Sequence, residues 1–125
     1  MTDPIEALGL LQQEVMDEVW RVEQATVADV HARLSARRKI AYTTVLTTMR
    51  NLERRGMLSH QPQGKAFLYR PTMPREQYAA GTVKNFVGRV FGGRPERLLC
   101  HLLGTDRVTA EDLARLRRLV EEQER

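Results

Sequence analysis

The chain has 125 residues, 42% of them apolar and 29% charged, with a net charge of +4 and one cysteine. Such a composition suits one folded soluble domain, or a small domain with an appendage. It excludes a transmembrane helix, because apolar runs are only a few residues long. It also excludes an internal disulfide, because the one thiol has no partner. Met1-Thr2-Asp3-Pro4 lacks a basic and then apolar leader, so no secretory signal is expected and a cytoplasmic location fits.

The charge is uneven. Residues 1–32 carry seven acids against Arg21 alone. Residues 33–70 carry nine bases against Glu53 alone, and residues 71–125 carry ten bases against eight acids. A surplus of eight positive charges in the middle of the chain is the footprint of a polyanion partner. A membrane surface fits less well, since the block lacks an aromatic-rich amphipathic face.

Leu8 to Val22 is predicted as a first helix, with Leu8, Leu11, Val15, Val19 and Val22 at helical spacing and Trp20 beside them. Glu14, Asp17, Glu18 and Arg21 occupy the other side, expected to face away from any polyanion. Glu23-Gln24-Ala25 reads as a polar link. Thr26-Val27-Ala28-Asp29 reads as a capping box that opens a second helix to about Ser35, with Val27, Val30 and Leu34 as its apolar face. Arg37-Arg38-Lys39 follows, either solvated surface or a flank for phosphates.

The stretch from Ala41 to Gly56 reads as a third helix. At the α-helical step, Val45, Met49 and Leu52 fall within about 60° of one another. Thr43, Thr47, Arg50 and Arg54 fall within about 60° on the opposite side. Short hydroxyls followed by guanidinium groups suit base edges and phosphates in a major groove. A plain solvated helix face is the alternative. Gly56 is the expected left-handed stop. Met57 to His60 and Ala66 to Tyr69 read as two strands about the turn Gln61-Pro62-Gln63-Gly64-Lys65, with Phe67 and Tyr69 on one face. Three helices followed by a hairpin is the order of a winged helix-turn-helix, with Lys65 at the tip of the wing.

A fourth helix is predicted from Pro74 to about Phe91, a fifth from Glu96 to Leu103, and a sixth after the capping box Thr109-Ala110-Glu111-Asp112. Phe86, Val87, Val90, Phe91, Leu98, Leu99, Leu102, Leu103, Leu113, Leu116 and Val120 are too many large apolar residues for a solvated tail. The segment is also too short to bury its own core. Pairing with the same segment of a second copy answers both, so these residues are the expected dimer contacts.

Several groups of residues carry a family resemblance. They are Glu14-Val15-Met16 with Trp20; Thr26-Val27 with Val30; Tyr42-Thr43-Thr44-Val45 with Thr47; Leu52 with Arg55-Gly56; Gly64 to Tyr69; Phe91-Gly92-Gly93; and Thr109 to Val120. On them the chain resembles the penicillinase-repressor (BlaI/MecI-like) family of bacterial transcriptional regulators. The resemblance implies a homodimeric repressor that binds an inverted-repeat operator in double-stranded DNA. It further implies control of β-lactam resistance genes and release by a membrane-bound sensor protease, with no insertion of the repressor itself into a membrane. Asn51 stands where the family often has arginine, and His101-Leu102 stands at the family's cleavage bond, typically asparagine-phenylalanine. The family's copper-sensing branch has a cysteine cluster where this chain has only Cys100.

The expected architecture is mainly α with a small β-hairpin. A winged-helix DNA-binding domain spans residues 1–72 and a helical dimerisation region spans residues 73–125. Tyr42, Thr43, Thr44, Thr47, Arg50 and Asn51 are the candidates for base and nearby backbone contact. Tyr42 either packs at the helix start or touches the DNA backbone. Arg37, Arg38, Lys39, Arg54, Arg55 and Lys65 are the phosphate candidates. No catalytic constellation is visible, and Cys100-His101 reads as packing rather than a metal site, so neither an enzyme nor a cofactor is expected. A winged-helix module that docks protein instead of DNA is the competing function.

Overall fold

The computed structural model describes residues 7–104 and 108–124. The N-terminal tetrapeptide discussed above lies outside them. In order, the elements are helices α1 (Leu10–Val22), α2 (Val27–Ser35) and α3 (Tyr42–Arg54), strands β1 (Leu58–Gln63) and β2 (Ala66–Pro71), and helices α4 (Arg75–Val90), α5 (Pro95–Leu103) and α6 (Ala110–Gln123). The chain forms two compact units, Met1–Asn85 and Phe86–Arg125, which divide within α4.

In the first unit, the predicted stripes become one core. Val15, Met16 and Val19 of α1, Val30 and Leu34 of α2, and Val45, Met49 and Leu52 of α3 are fully buried together. Each fully buried aliphatic side chain contributes about 1.5–3 kcal/mol. The Thr26 capping box forms as expected. Thr26 Oγ1 accepts the Asp29 N–H at 3.1 Å, and Asp29 accepts the Thr26 N–H at 3.0 Å. α3 ends in a Schellman motif. The Met57 N–H reaches the Leu52 carbonyl and the Gly56 N–H reaches that of Glu53, both at 2.9 Å, with Gly56 at φ +84°.

The hairpin differs from its predicted limits. β1 runs on to Gln63 and takes in Pro62, leaving a two-residue turn, Gly64-Lys65. Gly64 has φ +62° while Lys65 stays at negative φ, the pattern of a II′ turn that matches strand twist. Pairs alternate between bonded and non-bonded from Gln63↔Ala66 inward, so Pro62 falls at a non-bonded pair and its missing N–H costs no ladder bond. The same alternation turns both backbone groups of Tyr69 away from β1. They bond Ala25 instead, at 2.8 and 2.9 Å. The polar link between α1 and α2 is therefore tied to the hairpin by an isolated β-bridge, with Ala25 fully buried.

The acidic side of α1 also departs from expectation. Glu18 is 2% exposed. It accepts Arg33 Nε at 2.7 Å and Arg37 at 3.0 Å, with Arg21 at 3.7 Å. Arg38 reaches Glu14 at 3.3 Å. A carboxylate without partners would not tolerate such burial, and here two guanidinium groups supply them. The start of α4 is tied down too. Trp20 packs on Tyr78 with ring centroids 5.6 Å apart, and its indole N–H donates to the Met73 carbonyl at 3.0 Å.

In the second unit, α5 starts at Pro95 and α6 starts on the predicted Thr109–Asp112 capping box, with bonds of 3.1 Å both ways. No residue of α5 or α6 is buried. Val87 is the one buried apolar residue described there, while Phe91 and Leu98 are half-buried. Cys100 and His101, expected to pack, are exposed, and the His101 ring lies tilted against Phe91 with centroids 5.3 Å apart. The reason is that the apolar neighbours they would pack among are themselves uncovered.

Candidate nucleic-acid interface

The candidate interface is the solvent side of α3, the segment before it, and the wing. α3 is held by its buried stripe, so its opposite face is displayed rigidly. Thr43, Thr47, Arg50 and Arg54 are all exposed along it, spanning three turns. Thr44 is exposed on one flank and Asn51 is half-buried there. Tyr42 begins the helix, 46% exposed, with its ring edge-on to His31 at 5.7 Å. His31 in turn donates through Nε2 to the Ile40 carbonyl at 2.8 Å, fixing the turn between α2 and α3. Tyr42 thus packs at the helix start and still presents part of its ring outward.

The basic residues fall into two classes. Arg33, Arg37 and Arg38 are engaged by carboxylates of α1, although Arg37 and Arg38 remain about half exposed. Arg55 turns inward and donates to Gln12 Oε1 at 2.8 Å, bracing α3 against α1. Among the described residues, Lys39, Arg50, Arg54 and Lys65 have no carboxylate within ion-pair distance. These four lie before α3, along it and at the wing tip; Arg70 at the foot of the wing has no carboxylate either and bonds Gln24 instead. A surface of this kind attracts a phosphate backbone over several ångströms and releases counterions on contact.

Two pairings were not visible in residue types alone. One is the Glu18 cluster, whose members are 15 and 19 residues apart in sequence. The other is His60 on β1, which donates through Nδ1 to both oxygens of Glu53 on α3 at 2.8 and 2.6 Å. The signal available for the second was the isolation of Glu53, a single acid in a basic block.

The chain is similar to several known proteins. A family model described as penicillinase repressor matches residues 8–122. The transcriptional regulator BlaI of Mycobacterium tuberculosis is 35% identical over 119 residues, 94% of this chain and 85% of that one. The penicillinase repressor of Bacillus licheniformis is 25% identical over 109 residues, covering 87% of this chain and 85% of its own. Among solved structures, the solution structure of the DNA-binding domain of the repressor BlaI superposes with a TM-score of 0.54 at 26% identity. That match covers 62% of this chain and 94% of the domain.

Proposed function

Since the chain belongs to the penicillinase repressor family, we propose that it is a homodimeric repressor whose α3 reads an operator half-site while the wing holds the adjoining backbone. It is a DNA-binding transcriptional regulator and not an enzyme. The observation that carries the contact assignment is the exposed row Thr43, Thr47, Arg50 and Arg54, backed by the buried row Val45, Met49 and Leu52. Arg50 pairs a guanine edge, Asn51 an adenine, and the threonines contact bases or nearby phosphates. Lys39, Arg54 and Lys65 neutralise phosphates. Arg37 and Arg38 join them only by leaving Glu18 and Glu14. Arg55 acts from behind by holding α3.

The dimer rests on the second unit. α5 and α6 form an apolar groove lined by Leu99, Leu102, Leu103, Leu116 and Leu119. Together with Phe86, Val90, Leu113 and Val120, each at least 42% exposed, they make a run of uncovered large apolar side chains of the kind that marks an interface. A second copy of the same helices covers it isologously. Two-fold symmetry then sets the two α3 helices about 34 Å, or a multiple, apart along an inverted repeat. In this reading residues 1–72 bind DNA, the first half of α4 packs on them, and the second unit forms the dimer.

The regulated genes are β-lactam resistance genes, and the site of action is the cytoplasm; among the described residues no helix is long and apolar enough to cross a membrane. Release by a sensor protease at His101-Leu102 requires part of α5 to unwind, because the bond sits inside that helix and a protease takes extended backbone. A gel shift with DNA from upstream of the chain's own gene, at two salt concentrations, tests the core of this reading. Salt-sensitive retardation of that DNA ahead of random DNA is expected. Its absence refutes the repressor and leaves the protein-docking module.

A further inference from the structure

Glu53 is the single acid between residues 33 and 70. It lies about 60° round α3 from Arg50, at the edge of the face that meets DNA. A bare carboxylate there would repel phosphate. Instead both its oxygens take the His60 Nδ1–H, at 2.8 and 2.6 Å. A carboxylate has no proton to give, so the imidazole is the donor.

The His60 ring is itself well seated. It lies against Phe67 and Tyr69 of β2, at centroid distances of 4.4 and 5.4 Å. Tyr69 is 2% exposed and bonded to Ala25, so the floor under the imidazole belongs to the core. The Tyr69 hydroxyl senses Glu53 and Arg50. Burial pushes it up, Glu53 pushes it further, and Arg50 draws it back. A two-stranded ribbon is marginally stable by itself, so its angle to the body must be braced at the base. The His60 rung lies two rungs above the foot of the hairpin, Leu58↔Pro71, and three below Gln63↔Ala66 and the Gly64-Lys65 tip, a lever of about 10 Å.

We propose that His60 is a positioning residue for operator binding: its bond to Glu53 locks the wing to α3 and so places Lys65 against a phosphate. This rests on the reading above that α3 and the wing both meet the duplex. The pairing also gives Glu53 a positive or dipolar partner in place of the DNA.

The test is a pairwise cycle of operator affinity over a salt series, using His60→Phe, Lys65→Ala and the double variant. Phenylalanine keeps a ring on Phe67 and Tyr69 and removes both ring nitrogens, the donor to Glu53 among them. His60→Phe is expected to weaken operator binding about 2- to 5-fold, the scale of a partly exposed pair. It should also reduce the salt slope by about one phosphate contact. Lys65→Ala should then add less than about 2-fold in the His60→Phe background, because the tip is already misplaced. His60→Gln, which keeps a side-chain N–H, should recover part of the salt slope. Full additivity of His60→Phe and Lys65→Ala overturns the proposal, as does an unchanged salt slope in His60→Phe. If His60→Phe melts well below wild type, Glu53→Ala takes its place in the cycle under the additivity criterion, since deleting a carboxylate alters the salt slope by itself. Wild-type protein that retards no DNA refutes the repressor reading itself, a result distinct from a latch that fails in a protein that binds.

Discussion

Replacing Glu18 by glutamine tests how the helix-turn-helix is held together. Glu18 is 2% exposed and receives charge-assisted hydrogen bonds from Arg33 and Arg37 at 2.7 and 3.0 Å. Glutamine keeps one acceptor oxygen but turns an amide N–H₂ toward a guanidinium. Hydrogen bonds to charged groups are worth about 1.5–3 kcal/mol each, and breaking a fully buried pair costs about 3–5 kcal/mol. Arg33 and Arg37 are 41% and 53% exposed, so both can rehydrate, which reduces the loss to about 1–2 kcal/mol. At about 4–8 °C per kcal/mol for a domain of this size, the first unit should melt roughly 5–15 °C lower. Circular dichroism at a fixed protein concentration reads this directly, since any dimer makes the midpoint concentration-dependent. The effect also has a pH signature. Burial pushes the Glu18 carboxyl up, but the Arg33 hydrogen bond and the charges of Arg21, Arg33 and Arg37 outweigh it and hold the group below its ordinary 4.5. A depressed carboxylate stabilises the fold above its unfolded pKa and loses that contribution as pH falls through the folded one. The gap between wild type and Glu18→Gln should therefore be constant from neutral pH down to about 5 and shrink in more acid solution. A gap below about 2 °C at neutral pH, or one that persists unchanged in acid, refutes the account of a buried ionic clamp.

Arg50→Ala should cost about 1–3 kcal/mol on operator DNA and much less on random DNA; equal losses on both, measured by fluorescence anisotropy, make Arg50 a phosphate contact instead. Lys65→Ala should lower affinity for every sequence alike and flatten the salt dependence by about one unit; a sequence-selective loss contradicts its placement at the backbone. Thr26→Ala removes the α2 cap and should destabilise the first unit by about 1 kcal/mol in urea unfolding, with an unchanged midpoint counting against the cap. Leu116→Glu should place a charge in the α5–α6 groove and shift sedimentation velocity to the monomer, while the near-ultraviolet signal of Trp20 is retained; a dimer that survives the substitution moves the interface elsewhere.

Much of the protein was legible from residue order. The periods of α1, α2 and α3 follow from apolar spacing, and two capping boxes, Thr26–Asp29 and Thr109–Asp112, announce helix starts because their partners lie three residues apart. Gly56 and Gly64 mark chain reversals because the left-handed region is open to glycine. The Thr43–Arg54 row was equally plain, since one helix projects it whatever the fold around it. Leu119, 55% exposed, joins the α5 leucines in the groove although Leu113, Leu116 and Val120 already make a complete face by helical spacing.

Tertiary structure decided which charges are available to a partner. In sequence, Arg33, Arg37, Arg38 and Arg55 belong to one basic block with Lys39, Arg50, Arg54 and Lys65. In the fold, the first four are drawn to Glu18, Glu14 and Gln12 on α1, and the last four remain outward. The Ala25–Tyr69 bridge and the His60–Glu53 bond arose in the same way, from segments brought together only by the closing of the core. Local patterns depend on neighbours within one turn or one strand, so the chain order carries them. Charge pairing depends on distances of about 3–4 Å between elements, and those exist only after the apolar stripes have packed.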